Sequence, residues 1–200
     1  MAGSIFEWAT PWFVHEARRW TPDDALAIAS RLSPALGVGC KVLDVGGGTG
    51  VLAGLLASVA SCDVTVLDSS AAMLRHAAGK PGVAAVLGDA SAMPFEDAAF
   101  DAVIAVDALH HMPRQSDVVA QMARVLRPGG AVFVAEPDPS ARAVRLSRTL
   151  ERMLGEPGGM LTPGEIVALF REVGVVGEVE RQSEVGYAFV GRLRESSADR

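Results

Sequence analysis

The feature that most constrains the fold is a series of short, valine-rich apolar segments, each followed by a glycine-rich or polar stretch. The segments are residues 41–45, 63–68, 83–87, 100–106 and 131–136. Their apolar residues are continuous rather than alternating, which predicts strands buried on both faces of a parallel sheet. Helices are predicted between them, at 51–60, 71–78 and 117–126, and a Pro128-Gly129-Gly130 turn is expected to stop the last of these. Repeated strand–helix units with short connections are typical of a doubly wound α/β sheet.

The last quarter of the chain follows a different pattern. A helix is predicted over 163–173, and after it come two runs, 176–182 and 185–195, in which polar and apolar residues alternate. Because only about two residues separate these runs, they predict an antiparallel hairpin at one edge of the sheet. We therefore expect an α/β fold with a doubly wound, mostly parallel seven-stranded sheet and an antiparallel C-terminal hairpin.

Length and composition bound the class of protein. The 200 residues fit one domain, 1–200, of ordinary globular composition. A formal net charge of −6 argues against binding to nucleic-acid phosphates. Two cysteines are too few for a secreted disulfide framework, and no apolar run approaches the ~18 residues of a membrane span. We expect a cytoplasmic protein with no membrane span and no nucleic-acid partner.

Chemistry is expected where the strands end, since ligands of an open α/β sheet bind outside the carboxyl ends of its strands. Asp44 lies near the end of the first strand, and four glycines follow it, at Gly46, Gly47, Gly48 and Gly50. Glycines allow a sharp turn and a close approach to a ligand, while Asp44 places a carboxylate beside it. The cluster also fits a tight turn without a ligand. As a dinucleotide fingerprint it is imperfect, because its sixth position is Val51.

Asp68 ends the second strand, 18 residues beyond Gly50. A carboxylate at this place can accept hydrogen bonds from ribose hydroxyls, as in nucleotide-binding sheets generally. The alternative is that Asp68 only caps the next helix. Ser69 and Ser70 can already fill that role, which favours the ligand-binding interpretation.

Five motifs in order resemble one family. They are DVGGGTG at 44–50, VLDSS at 66–70, GDA at 88–90, FDAVIAVDALHH at 100–111 and VLRPGG at 125–130. Together they resemble the class I S-adenosylmethionine-dependent methyltransferases, in particular the small-molecule group that includes the ubiquinone/menaquinone biosynthesis methyltransferases. The resemblance covers about residues 38–137 and implies a Rossmann-like methyltransferase fold. It also implies that S-adenosylmethionine is the cofactor and that a small, partly apolar molecule accepts the methyl group.

The resemblance implies roles at the first two strands. Asp44 and the backbone of 46–50 would hold the methionine part of the cofactor. Asp68 would accept hydrogen bonds from the two ribose hydroxyls, with Ser69 beside it. Met73 would pack near the adenine ring.

At the third and fourth strands, the resemblance assigns the rest of the cofactor site. Asp89 would accept a hydrogen bond from the adenine amino group, and the backbone of Ala90 would contact the ring. Val106 and Asp107 would lie under the sulfonium. An activated sulfonium methyl group needs no metal for in-line displacement, so a methyltransferase of this kind must position the acceptor and exclude water.

Three histidines are candidates for a catalytic base, since imidazole titrates near neutral pH. His110 and His111 follow the fourth strand, and His15 lies in the aromatic N-terminal segment. The alternative for the pair is structural, with the rings bonded to backbone in a tight loop. A metal site is not expected, because the pair has no Cys or His partner at ligand spacing. Glu136, at the end of the fifth strand, is a further candidate base.

Selectivity for the acceptor is expected from two segments outside the cofactor-binding core, 38–137. The first is an N-terminal helical lid, 1–35, with Trp8, Trp12 and His15 on one helix face. The alternative is a helix packed on the core. Thr21 and Pro22 predict the start of a helix that ends near Leu32.

The second segment is a substrate-side insertion, 138–162, ahead of the C-terminal helix and hairpin, 163–195. It carries arginines along one helix flank, at Arg142, Arg145, Arg148 and Arg152. The stripe fits a solvated face better than a wall that binds an anionic substrate, and Glu151 and Glu156 partly neutralise it.

Two other functions stay open on the sequence alone. A methyltransferase-like subunit could bind the cofactor as a scaffold without turnover, and a nicotinamide-dependent oxidoreductase could use a similar sheet. The imperfect glycine fingerprint and the antiparallel hairpin disfavour the oxidoreductase. Whether oxygen, nitrogen or carbon accepts the methyl group is open, and so is a homodimer.

Overall fold

The computed structural model describes residues 20–142, 144 and 159–195, and these contain a seven-stranded sheet. Its strands are β1 Lys41–Val45, β2 Asp63–Asp68, β3 Val83–Leu87, β4 Phe100–Val106, β5 Leu126–Pro137, β6 Val175–Arg181 and β7 Gly186–Leu193. They lie in the order β3-β2-β1-β4-β5-β7-β6. The pairs among β1–β5 are parallel, whereas β7 is antiparallel to β5 and β6. The predicted fold class and the C-terminal hairpin are confirmed.

Helices connect the strands as the apolar periodicity predicts. They are α1 Pro22–Leu32, α2 Val51–Ala60, α3 Ala71–Ala77, α4 Gln115–Val125 and α5 Pro163–Glu172. Helix α1 begins at a capping box, in which the Thr21 side chain accepts from the N–H of Asp24 and the Asp24 carboxylate accepts from the N–H of Thr21. In the described part of the chain, no helix is both long and apolar enough to cross a bilayer.

Helices cover both faces of the sheet. Successive residues of a strand point to opposite faces, so each central strand contributes side chains to a core on either side. In β1, Val45 packs into one core with Val119 of α4 and Phe170 of α5. Val42 points the other way and packs with Leu56 of α2. The two cores hold the sheet rigid, so the carboxyl ends of β1, β2, β4 and β5 keep fixed relative positions.

Strand β3 differs from the prediction of burial on both faces. It is an edge strand, paired with β2 on one side, and Ala84, Ala85 and Leu87 are exposed. Its apolar composition matches that of the central strands, so the local pattern does not reveal its place at the edge. The prediction was wrong for β3 and correct for β1, whose last four residues are buried.

Strand β5 begins earlier than predicted. Pro128, Gly129 and Gly130 were expected to form a turn after helix α4, but they lie within β5, which starts at Leu126. The pairing of β4 with β5 shifts register between Phe100 and Ala102 at this place. The three residues are therefore accommodated as an irregularity of the strand, where Pro and Gly are tolerated.

Candidate active site

Four carboxylates collect at one edge of the sheet. Asp44 and Asp68 lie at the carboxyl ends of β1 and β2, Asp107 follows β4, and Glu136 lies near the end of β5. Strand β1 is flanked by β2 and β4, so the chain changes direction across the sheet at this point. Such a switch point leaves a crevice outside the strand ends, where ligands of α/β proteins bind.

The glycine turn after β1 requires glycine at several positions. Gly46, Gly48 and Gly50 have φ angles of +72°, +54° and +66°, in the left-handed region that side chains disfavour. The N–H of Gly46 donates to the carbonyl of Leu67, which fixes the turn against β2. Gly50 precedes α2, and no side chain caps that helix. The amino end of α2 therefore faces the crevice with its backbone donors, an arrangement that suits an anionic or polar ligand.

Asp44 is buried beneath this turn, with 2% of the residue exposed. Its Oδ2 is the only buried side-chain polar atom in the described part of the chain that has no hydrogen-bond partner. Burial raises the pKa of Asp44 to about 7, and the charge of Asp68 adds to the shift. A buried carboxylate oxygen without a donor is unfavourable in the free protein, so a donor from a ligand would relieve it.

Asp68 links β2 to both the glycine turn and helix α3. Its Oδ2 accepts from the N–H of Gly48 at 2.9 Å, and its Oδ1 accepts from the N–H of Ser70 at 2.8 Å. Burial raises the pKa of Asp68, while these backbone donors oppose the rise. Ser70 caps α3, Ser69 is exposed, and Met73 is buried. Asp68 thus contacts both the glycine turn and the start of α3, while Ser70 caps that helix, and the ligand-binding role of Asp68 stays a prediction.

Asp89 lies beyond the end of β3, exposed at the rim. Its Oδ1 accepts from the N–H and hydroxyl of Ser91, and its Oδ2 accepts from Arg114 Nη2 at 3.0 Å. The bonds from Ser91 and the positive charge of Arg114 lower the pKa of Asp89, so it is ionised at neutral pH. Ala90, the next residue, begins a 3₁₀ turn and is half-buried.

Asp107 follows half-buried Val106 in a strained backbone conformation. Its φ is +48°, in the left-handed region, and its N–H donates to the carbonyl of Ala135. Asp107 is exposed. Desolvation of its carboxyl by the surrounding protein and the charge of Glu136 nevertheless raise the pKa of that carboxyl, whereas His110 lowers it. The end of β4 therefore places a carboxylate at the crevice, and the left-handed backbone conformation of Asp107 is energetically unfavourable.

A histidine–glutamate pair lies directly behind Asp107. Nδ1 of His110 and Oε2 of Glu136 are 2.5 Å apart, and both residues are buried. Glu136 also accepts from the backbone N–H groups of Ala108 and Leu109 through Oε1. Glu136 thereby fixes both the ring of His110 and the start of its 3₁₀ turn, Leu109–His111.

His111 is a weak base in this arrangement. Its ring lies 4.0 Å from that of His110, centroid to centroid. Burial lowers the pKa of His111 to about 3, with a further contribution from His110. A base with so low a proton affinity accepts few protons near neutral pH. His15, the third predicted base, lies outside the described residues, as do Trp8 and Trp12.

Comparison with known proteins agrees with this geometry. Residues 43–134 match the family described as "Methyltransferase domain". A demethylmenaquinone methyltransferase of Renibacterium salmoninarum is 40% identical over 99 residues, or 49% of this chain and 41% of that protein. A phthiotriol/phenolphthiotriol dimycocerosates methyltransferase of Mycobacterium ulcerans is 34% identical over 160 residues, or 77% of this chain and 55% of that protein. Over residues 43–134, this chain therefore matches a methyltransferase domain.

Solved structures share the fold of this methyltransferase domain. Phosphoethanolamine N-methyltransferase 2 of Haemonchus contortus, solved in complex with S-adenosylmethionine, matches with a TM-score of 0.74 and 18% identity. The match covers 86% of this chain and 53% of that one. The chain spans about half or less of the length of the two curated relatives described above.

Four contacts near the candidate site were not predicted. Arg114 bonds Asp89, Glu136 supports His110, and Gln115 Nε2 donates to the carbonyls of Leu109 and Gly159. Of these, only the contact of Glu136 with His110 could have been predicted from the sequence, because a glutamate that ends a buried strand next to β4 needs a buried partner. Within the described residues, no cluster of three or more His, Cys, Asp or Glu side chains could hold a metal ion.

The raised pKa of Asp44 predicts how stability depends on pH. The folded protein keeps this proton up to about pH 7, whereas the unfolded chain loses it near 3.8. The contribution of Asp44 to stability is therefore greatest below about pH 3.8 and is lost as the pH rises to 7, with about 2 kcal/mol of it lost between roughly pH 5.5 and pH 8.5. Urea unfolding of the wild type and of Asp44→Asn at both values measures this. The variant should lose this part of the dependence, and an unchanged difference between the two pH values would contradict the assignment.

Proposed function

We propose that this chain transfers a methyl group from S-adenosylmethionine to a small, partly apolar acceptor. The observation that carries the proposal is the buried Asp44 Oδ2, without a partner, beneath the glycine turn. The cofactor has an α-ammonium group, which would donate to that oxygen, while the backbone of 46–50 holds the carboxylate end. The family match over residues 43–134 supports the same cofactor.

The remaining acceptors suit the other parts of the cofactor. A carboxylate has about four lone-pair sites, so Asp68 and Asp89 keep capacity beyond their present bonds. We assign the ribose hydroxyls to Asp68, with Ser69 beside it, and the adenine amino group to Asp89. Met73 and Ala90 contact the ring in this assignment. Val106 and Asp107 lie beneath the sulfonium.

The bound cofactor supplies an activated methyl group, and the chain's residues supply position and proton transfer. Holding acceptor and methyl group in line can contribute an effective molarity of ~10⁵–10⁸ M. In this assignment Nδ1–H of His110 donates to the Glu136 carboxylate, so Nε2 is the nitrogen that removes a proton from the acceptor. Such a base contributes ~10²–10⁴-fold when the acceptor must lose a proton.

The acceptor is proposed to bind between the crevice and the predicted segments 1–35 and 138–162. Described residues at this side, Met112 and Leu161, are partly buried and pack against the core. The two curated relatives are named for demethylmenaquinone and for phthiotriol/phenolphthiotriol dimycocerosates, which also favours an apolar acceptor. A cytoplasmic location fits the two free thiols.

Calorimetry with S-adenosylhomocysteine and with NAD tests the cofactor. S-adenosylhomocysteine should bind and NAD should not. Asp68→Ala should weaken binding by about 10²-fold or more, since it removes a charged acceptor of two hydroxyls. Asp63→Ala is the matched control, because Asp63 is exposed at the opposite end of the same strand. Binding of NAD alone would overturn the proposal.

Turnover separates the enzyme from a scaffold subunit. Small molecules that co-purify with the protein would be identified by mass spectrometry and offered with methyl-labelled S-adenosylmethionine. Transfer of the label to one of them supports the proposal. Cofactor binding without transfer to any of them favours the scaffold interpretation.

A further inference from the structure

The chain's two cysteines lie side by side at the edge of the sheet opposite the candidate active site. Cys40 precedes β1 and Cys62 precedes β2. The next residues, Lys41 and Asp63, are register partners, and the N–H of Asp63 donates to the carbonyl of Cys40 at 2.9 Å. The two cysteines therefore occupy neighbouring positions on adjacent parallel strands, a placement that the methyl-transfer proposal does not use.

Their geometry permits a covalent bridge without movement of the backbone. Neighbouring strands are ~4.8 Å apart, within the Cα separation of about 4.4–6.8 Å that disulfides span. Both thiols are free, and the two Sγ atoms are in hydrogen-bond contact, so the side chains point at each other.

The cysteine pair lies close to the protein surface. The cysteines themselves are buried, but Gly39, Ser61 and Asp63 around them are exposed. Each cysteine is thus next in sequence to an exposed residue, and a local opening at the start of these strands would bring a small oxidant to the pair.

We propose that Cys40 and Cys62 are a modification site that forms a reversible intramolecular disulfide when the protein meets hydrogen peroxide. The bridge would join the amino ends of β1 and β2, the two strands whose other ends carry Asp44 and Asp68. In a reducing compartment the pair would stay as two thiols.

The chemistry proceeds in two balanced steps. Peroxide transfers one oxygen to the Cys40 sulfur, which gives a sulfenic acid and one water. The Cys62 sulfur then attacks the Cys40 sulfur, the S–O bond breaks as the S–S bond forms, and the Cys62 proton leaves with the hydroxyl as a second water. Cys62 is the resolving thiol because burial, Cys40 and the nearby acids Asp63 and Asp101 raise its pKa to about 12, which makes it a poor first nucleophile.

The full chain, treated with hydrogen peroxide and then alkylated, tests the site by intact mass spectrometry. Both thiols should disappear together, with the mass lower by two hydrogen atoms and no dimer on a non-reducing gel. Because the bridge closes a loop from residue 40 to residue 62, the melting temperature should rise by about 5–10 °C and return on addition of dithiothreitol.

Two single variants provide matched controls. Cys62→Ser should leave a sulfenic acid on Cys40 that dimedone traps, whereas Cys40→Ser should react more slowly at Cys62. If serine disturbs the fold, Cys40→Ala and Cys62→Ala replace these variants. The number of alkylatable thiols left in the oxidised wild type tests the proposal without any variant. Two alkylatable thiols persisting at peroxide concentrations that oxidise the urea-unfolded chain would overturn the proposal, as would sulfinic acid or intermolecular dimers as the main product.

Discussion

Replacing Gly47 with alanine should abolish measurable binding of S-adenosylhomocysteine while the protein remains folded. A Cβ atom at Gly47 would lie 2.4 Å from Asp44 Oδ2 and 2.5 Å from its Cγ, closer than any normal contact. Asp44 is buried, so its carboxylate cannot turn into solvent to make room. We expect a loss of about 10²-fold or more in affinity and about 1–3 kcal/mol in stability, the usual effect of overpacking.

Gly47 is a sharper test than its neighbours because its φ angle is not in the left-handed region. Gly46→Ala would combine a clash with Ala108 and backbone strain, so its effect would have two causes. Gly37→Ala is the matched control, since no atom lies within 4 Å of its Cβ position. Calorimetry and urea unfolding of both variants measure the two effects. Wild-type affinity in Gly47→Ala would show that Asp44 and the turn do not hold the cofactor.

The element positions in the described residues were predictable because the strands are buried and their apolar runs are short and continuous. The prediction failed at β3, where Val83–Leu87 resembles a central strand but lies at an edge. Strand order is set by how distant segments pack, so it leaves no mark on five local residues. The predicted turn at Pro128-Gly129-Gly130 was wrong for a related reason, since the same residues suit a turn or an irregular strand.

For the candidate site, the sequence predicted which residues lie close together but not which hydrogen bonds they form. Asp44 and Asp68 come together because the carboxyl ends of parallel strands share one edge. The contact of His110 with Glu136 joins residues 26 positions apart, and that of Asp89 with Arg114 joins residues 25 apart. Both depend on the path of loops, which local patterns do not specify. The N-terminal lid, including His15, stays a prediction.

Glu136→Ala should be the most destabilising change at the active site, lowering the free energy of unfolding by about 3–5 kcal/mol. Glu136 is 4% exposed and accepts from the backbone N–H groups of Ala108 and Leu109 as well as from His110. Alanine would leave these buried donors without an acceptor. Urea unfolding measures the loss, and Glu178→Ala, at an exposed glutamate of β6, should change stability by less than about 0.5 kcal/mol.

Glu136→Gln separates the chemical role of this residue from its structural one. The amide keeps an oxygen for the N–H groups of Ala108 and Leu109 and loses the acceptor of the His110 backbone N–H, which donates to Oε2 at 3.3 Å, so stability should fall by only about 1–2 kcal/mol. Its NH₂ group would face His110 and donate to Nδ1, which places the ring proton on Nε2 and removes the base. Turnover should then fall by about 10²–10⁴-fold, as in His110→Ala, with the affinity for S-adenosylhomocysteine nearly unchanged. Nitrogen-15 NMR reports the tautomer directly, and retention of the Nδ1 proton together with wild-type turnover would restrict Glu136 to a structural role.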